Sequence, residues 1–205
     1  MKIDLNADVG EGFDDAPLLE SITSANVACG FHAGGEDVAR PLCVAATARG
    51  IAIGAHVSYR DRDGFGRDEL GMPARVIARE TGEQIEILQK WSGGRVAYVK
   101  PHGALYHRMQ RDPDVAAVMA ATELPVLGLD VAEGFADRGY RGEHLIPRGE
   151  PGALLDADAA VAQAVRIACN FRSICIHGDS PGAAALAVRV RDALVGAGFE
   201  LAPFA

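Results

Sequence analysis

Apolar positions along this chain fall into short strand-like runs that alternate with longer stretches of helical spacing. Lys2 to Ala7 reads as a strand, and a helix is expected from about Asp15 to Ile22, before a short apolar run at Ala25–Ala28. Glu36 to Arg49 reads as a helix, with Gly50 placed where a left-handed residue would end it. Ile51 to Ala55 has the length and the β-branched residues of a buried strand. Val76, Ile77, Ile85, Leu88 and Trp91 mark a helix packed on one face over Pro73–Trp91. Arg95 to Val99 is the next strand, and Asp112-Pro113 is a good N-cap and N1 pair for a helix to about Ala121. Pro125–Leu129 and Val131–Phe135 are strand-like, and Asp156 caps a helix to about Ala168. Ser173–Ile176 is a strand, Ser180-Pro181 begins a helix ending at Gly196–Gly198, and Phe199–Ala202 is a last strand.

This is a βα alternation almost from end to end. It implies a parallel sheet with helical crossovers, doubly wound or closed as a barrel. At 205 residues, 49% apolar and 23% charged, the chain is expected to be one globular domain over 1–205. A net charge of −8 argues against general binding to nucleic acid or to anionic membranes. No apolar stretch approaches the roughly 20 residues of a spanning helix. Cys29, Cys43, Cys169 and Cys175 lack metal-finger or disulfide-scaffold spacing, and the N-terminus turns acidic within four residues. The expectation is a cytoplasmic protein with reduced thiols.

Four of the six histidines, His32, His56, His102 and His177, follow directly on expected strands. Parallel strands deliver their C-terminal ends to one rim, so these imidazoles should converge there. Asn6 and Asp8 end the first strand on one face, with Asp4 one step deeper. Lys100, one of only three lysines, joins the same rim and is placed to balance a carboxylate, a phosphate or a developing oxyanion. Glycines beside the histidines, among them Gly30, Gly103 and Gly178, permit close approach of a ligand to the backbone. Taken singly, a histidine at a strand end is more often a hydrogen-bonded structural residue, and an Asp there more often a cap. The convergence of all of them with Asp179 on one rim is what points to catalysis.

An Asp/His/His set for a divalent cation can be drawn from Asp8, His56 and His102. The alternative is that the same groups act directly as acid, base or substrate anchors. His107 and His144 lack the rim placement and read as helix surface and loop. Arg67, on the long loop Val57–Met72, is able to clamp a carboxylate, although a surface role is commoner. No phosphate-loop, dinucleotide or G-x-S-x-G motif is present.

Lys2–Glu11, Ser24–Gly34, Ile53–His56, Lys100–Tyr106, Phe135–Tyr140 and Ser173–Ala183 together resemble, in order, the motif blocks of the LamB/YcsF family. The resemblance implies an irregular parallel (β/α) barrel related to the glycoside hydrolase and deacetylase superfamily. It also implies one component of an ATP-dependent 5-oxoprolinase, opening 5-oxo-L-proline to L-glutamate with ATP as co-substrate and two partner subunits. Asp8, His32, Lys100, His102, His177 and Asp179 are the expected catalytic residues, with Asn6, Asn26, Gly30, Gly103 and Gly178 binding substrate. A divalent metal and a homo-oligomer are compatible with it. A stand-alone metal-dependent hydrolase of a carbohydrate or amide, and a non-catalytic solute-binding component, are the alternatives. Against the family pattern, segments 124–138 and 166–173 are compressed and 12–15 is abbreviated. A missing crossover helix would leave one face of the sheet uncovered unless another chain packs there.

Overall fold

The computed structural model describes residues 1–179 and 182–205. In chain order the elements are β1 (Lys2–Val9), β2 (Ser24–Ala28), α1 (Glu36–Ala48), β3 (Ala52–Val57), α2 (Ala74–Ser92), β4 (Val96–Pro101), α3 (Gly103–Arg111) and α4 (Pro113–Ala120). They continue with β5 (Glu133–Phe135), a small hairpin β6 (Tyr140–Arg141) and β7 (His144–Leu145), then α5 (Ala157–Ile167), β8 (Ser173–Ile176), α6 (Ala183–Gly196) and β9 (Glu200–Leu201). The helix start read at Ser180-Pro181 lies outside the described residues.

Local chemistry sets several of these boundaries. Asp112 caps α4 by accepting from the amides of Asp114 and Val115, and Asp156 caps α5 by accepting from Ala159 N at 2.8 Å. Gly50 sits at φ 70° just past α1, as expected of a residue that ends a helix. The helix expected at Asp15–Ile22 contracts to a single 3-10 turn, Leu18–Glu20, because the Asp15 carboxylate is drawn back to Gly10 N at 2.7 Å. In the other direction, α3 springs directly from His102, a helix that the apolar spacing does not mark.

The main sheet is parallel throughout, in the order β4-β3-β2-β1-β8-β5, with β9 beside the start of β1. Beyond β4 the sheet is extended by an isolated bridge from Val99 to Val126, and a second bridge, Leu127 to Val131, spans the turn that leads into β5. The result is an irregular parallel (β/α) barrel, and the doubly wound alternative falls away. The Pro125–Leu129 strand survives only as this stub. Parallel neighbours usually need a crossover of a dozen residues or more. Here a turn at Gly128 (φ 82°) replaces it, and a groove of about 750 Å³ lies outside the junction, bordered by Tyr106, Gln110, Tyr140 and Phe171.

Strand alternation splits the sheet into two chemistries. Ile3, Leu5, Ala7 and Val9 of β1, with Val27, Ile53, Ala55, Val99, Ile174 and Ile176, are buried in the apolar core shared with the helices. The opposite face carries Asp4, Asn6, Asp8, Ser24, Asn26, His56, Lys100, Glu133 and Ser173, all buried. Buried polar groups are tolerable only when hydrogen-bonded, and these form a network. Asp4 accepts from Thr23 and Ser24 hydroxyls at 2.6 Å each and from Ser173, and Asn6 donates to Ser173 Oγ at 2.7 Å and Glu133 at 3.1 Å. Gly54 is required inside this layer, since a Cβ there would lie 2.1 Å from the Tyr98 ring, whose hydroxyl donates to Asn26 at 2.7 Å. Among the described residues no helix is long and apolar enough to cross a membrane.

Candidate active site

The C-terminal ends of the strands bring the expected side chains to one mouth. A cavity of about 270 Å³ is lined there by Asp8, His56, Lys100, His102, His177 and Asp179, among others. Its floor is polar because the inward faces of β1, β3 and β4 end in Asp8, His56 and Lys100.

Three imidazoles and one carboxylate form a tight cluster at one side. Glu11 Oε1 lies 3.0 Å from His32 Nε2, 3.3 Å from His102 Nδ1 and 3.5 Å from His56 Nε2, and the two facing nitrogens of His56 and His102 are 3.0 Å apart. Each ring's outer nitrogen is committed elsewhere. His56 Nδ1 donates to Lys100 O (3.0 Å), His102 Nε2 to Phe65 O (2.9 Å), and His32 Nδ1 to Ser58 Oγ (2.9 Å), whose own proton goes to Tyr59 O. The neutral tautomers so selected aim three lone pairs at Glu11. Phe65 is held at φ 54°, a left-handed conformation that costs a bulky residue about 1–2 kcal/mol, and this turns its carbonyl to His102.

This donor set fits a divalent cation. A tetrahedral ion with about 2.0–2.1 Å bonds to nitrogen has ligand atoms about 3.3 Å apart, and the four donor atoms here lie within 4.8 Å of one another, most of them at 3.0–3.5 Å. Outer nitrogens fixed by carbonyl and hydroxyl acceptors are the usual support of metal-binding histidines. This cluster differs from the expected trio of Asp8, His56 and His102. His56 and His102 take part, His32 is the third ring, and Glu11 rather than Asp8 is the carboxylate. Strand pattern alone misses Glu11 because it lies beyond the strand; Gly10, at φ 80°, turns the chain so that it comes back over the site.

Asp8 belongs to a second group. Its Oδ1 lies 2.8 Å from Lys100 Nζ and accepts from Asn26 Nδ2 at 2.9 Å, with His56 Nε2 at 3.5 Å. Lys100 Nζ also reaches Glu133 Oε1 (3.2 Å), Asn6 Oδ1 (3.2 Å) and the Cys175 sulfur (2.9 Å). The ammonium thus lies against Asp8 and Cys175, two of the three groups that with His177 make a second possible cation cluster. Burial alone would raise the Asp8 carboxyl, but the charges of Lys100 and His56 outweigh it and hold it well below the usual carboxylate range. Burial would lower Lys100, and Asp8, Cys175 and Glu133 drive it well above its ordinary value instead. Against its own burial, His56 is raised to about 9, chiefly by Asp8, whereas burial and the neighbouring rings push His102 well below an ordinary histidine. A proton on His56 is thus the alternative to a bound cation among these opposed nitrogens.

Across the cavity His177 Nδ1 bonds to Asp137 Oδ1 at 2.9 Å, and its ring stacks on Phe135. The sequence gives Asp137 no role, and Asp179, two residues from His177 in the chain, is not its partner. Asp179 turns to Arg67 instead, with Arg148 at 3.8 Å. Burial would raise Asp137; the His177 charge and hydrogen bonds outweigh it and keep it below the ordinary value.

The other expected residues divide. Asn6 and Asn26 are wholly buried beneath the cavity and support Asp8, Lys100 and each other rather than facing a ligand. Gly103 lines the cavity, while a Cβ on it would lie 2.5 Å from Gly66 O, so the long loop packs directly on it. Gly178 is needed for packing, 2.2 Å from Asp8 O at its would-be Cβ, and Gly30 lies away from the cavity, where its carbonyl accepts from Arg62. His107 is exposed on the surface of α3, as expected, and also borders the cavity, and His144 is exposed on β7.

Comparison with known proteins bears on the whole chain. The A component of 5-oxoprolinase from Streptomyces griseus is 47% identical over 249 aligned positions, covering 99% of this chain and all of that protein. Its counterparts from Streptomyces avermitilis and Nocardia farcinica are each 45% identical, again over 249 positions and their full lengths. The lactam utilization protein of Thermus thermophilus superposes with a TM-score of 0.88 at 31% identity, covering both chains completely. A family 4 carbohydrate esterase from Streptomyces lividans, at 16% identity and a TM-score of 0.65, covers all of this chain and 93% of its own and shares the fold. The LamB/YcsF family model matches residues 3–127 and again 125–205, so its break falls at the Val126–Leu127 stub, where the crossover is missing. With motif blocks, barrel and alignment agreeing from one end of the chain to the other, the protein belongs to the LamB/YcsF family.

Proposed function

We propose that this chain is the lactam-opening component of an ATP-dependent 5-oxoprolinase, acting as one domain over residues 1–205 in the cytoplasm with two partner subunits. The observation that carries the reading is the Asp8–Lys100 pair, 2.8 Å apart, on the floor of a cavity walled by His56, His102 and a His177 aligned by Asp137. Relatives at 45–47% identity that are named as the A component of 5-oxoprolinase support the substrate. The free thiols of all four cysteines suit a reducing compartment.

A lactam carbonyl is a poor electrophile because its nitrogen donates into it. Transfer of the terminal phosphoryl group of ATP to the carbonyl oxygen, with release of ADP, removes that protection. Water then adds at the ring carbon, and the carbon–nitrogen bond breaks with its electron pair passing to nitrogen, which takes a proton. A second water releases phosphate and leaves the new carboxylate of L-glutamate. In this reading the partners contribute part of the ATP chemistry, since the sequence carries no G-x-x-x-x-G-K-[ST] loop.

Its own residues suit the remaining work. A general base is most effective with a pKa near the working pH. Asp8, held well below that, orients water and balances charge, whereas His177 is assigned the base on geometry, since Asp137 accepts from its Nδ1–H and leaves Nε2 as the free nitrogen. The proton that His177 takes from the attacking water is then delivered to the leaving nitrogen. Lys100 holds Asp8 ionised and offsets developing negative charge on the floor. A divalent ion held by Glu11, His32, His56 and His102 would supply Lewis acidity toward a carbonyl or phosphoryl oxygen.

The test is 5-oxo-L-proline-dependent ATP hydrolysis and glutamate release by the complex reconstituted with its partner subunits. His177→Ala and Asp8→Asn should each lower turnover by about 100-fold or more. Unchanged turnover in both would overturn these roles. Amide hydrolysis by the metal-loaded chain without ATP or partners would replace this reading with the stand-alone hydrolase.

A further inference from the structure

We propose that Arg67 and Arg148 are the carboxylate-recognition residues of this site, restricting it to lactams that carry an acidic group; the proposal rests on the lactam reading above. The cavity is divided electrically. Its floor holds the reacting amide's partners, and its mouth holds two guanidinium groups, Arg67 and Arg148, that converge on the single carboxylate of Asp179. Two cations sharing one anion leave one positive charge in excess at the mouth.

The other cations lining the cavity are already engaged. Lys100 is enclosed by Asp8 and Glu133. Arg138 is buried, and its Nε and Nη2 donate to the carbonyls of Ala153 (3.0 Å) and Ile146 (2.8 Å). Arg67 uses one Nη on Asp179, and Arg148 stands at 3.8 Å, too far for a hydrogen bond, so both retain donors facing the cavity. A substrate carboxylate entering between them would meet the planar donor forks that favour bidentate binding.

The pair is also built in. Arg67 stacks over Phe65, with its guanidinium carbon 4.8 Å from the ring centre, and Phe65 O receives the His102 proton at 2.9 Å. The next carbonyl, Gly66 O, accepts from Ala104 N at 3.0 Å. The arginine is thereby carried on the same loop that orients one ring of the histidine cluster. Recognition of one end of a small substrate and alignment at the other are set by one piece of backbone. Asp179, with its Oδ1 buried and lacking a hydrogen-bond partner among the described residues, holds the two arginines in place.

The experiment titrates the full-length chain, by calorimetry, with 5-oxo-L-proline, with 2-pyrrolidinone (the lactam without the carboxylate) and with glutarate (carboxylates without the lactam). We expect 5-oxo-L-proline to bind at least tenfold more tightly than 2-pyrrolidinone. Arg67→Gln and Arg148→Gln should each erode that preference and the double variant erase it, with melting temperatures confirming that each variant is folded. Equal binding of the two lactams, or a preference surviving in the double variant, would overturn the proposal while leaving the lactam reading intact. Arginine-dependent binding of glutarate with no binding of either lactam would uphold the carboxylate site and overturn the lactam reading. Silence toward all three would overturn both.

Discussion

His56 Nε2 and His102 Nδ1 face one another at 3.0 Å while the opposite nitrogen of each ring donates to a backbone carbonyl, Lys100 O and Phe65 O. Neutral rings fixed in this way oppose lone pair to lone pair, an arrangement that only a shared cation, metal or proton, makes favourable. Glu11 and His32 bring two further donor atoms to the same cluster.

Metal binding follows from it. The purified chain, loaded with zinc and dialysed, should retain about one ion, and His56→Ala or His102→Ala should abolish retention. Ser58→Ala removes only the acceptor behind His32 and should weaken affinity by about 10–100-fold. Asp8→Asn, outside the cluster, should retain the ion. Retention unaffected by either histidine substitution would sink the assignment.

Lys100 is the counter-charge of a buried carboxylate pair. Lys100→Met should leave Asp8 and Glu133 facing each other without a cation and destabilise the fold by about 3–5 kcal/mol, measured by urea unfolding at neutral pH. Adding Asp8→Asn to that variant should recover part of the loss. A Lys100→Met chain as stable as the parent would show that the ammonium is not needed for the buried network.

Asp4 gives a pH dependence of definite sign. Burial raises its carboxyl from 3.8 to about 6 in spite of the hydroxyls of Ser173, Ser24 and Thr23. The folded state therefore binds this proton more tightly than the unfolded chain. The resulting stability is complete below about pH 4 and is lost as pH rises through about 6, a change of about 3 kcal/mol. Asp4→Asn cannot ionise, so its stability relative to the parent should climb by about that amount between pH 4 and 7. A difference independent of pH, in denaturation series at both ends of the range, would contradict this.

The thiols offer a check on packing. Cys169 is exposed, whereas Cys29, Cys43 and Cys175 are buried, and burial pushes the Cys43 thiol up to about 11 and the other two higher still. A thiol reagent at pH 8 should titrate one group in the native protein and four in denaturant. Rapid native labelling of Cys175 would mean that the Lys100 network opens to solvent.

Much of this was legible from order alone. Strand period places Asn6 and Asp8 on one face, and parallel strands end at one rim, so His56, His102 and His177 had to reach it, while His32 joins from the loop after β2. The family blocks supplied the barrel, and the compression at 124–138 was visible as a shortage of residues for a crossover. What each group does there was not legible. Glu11 replaces Asp8 among the imidazoles because Gly10 turns the chain back, and Asp8 is instead taken by Lys100 from β4, 92 residues away. His177 pairs with Asp137 across the barrel and not with its neighbour Asp179, which the loop arginine draws off. Sequence determined which side chains reach the rim, since that depends on local backbone period. Only the tertiary structure decided their partners, tautomers and charges, because those are set over distances of about 3 Å between segments whose spacing in the chain carries no such information.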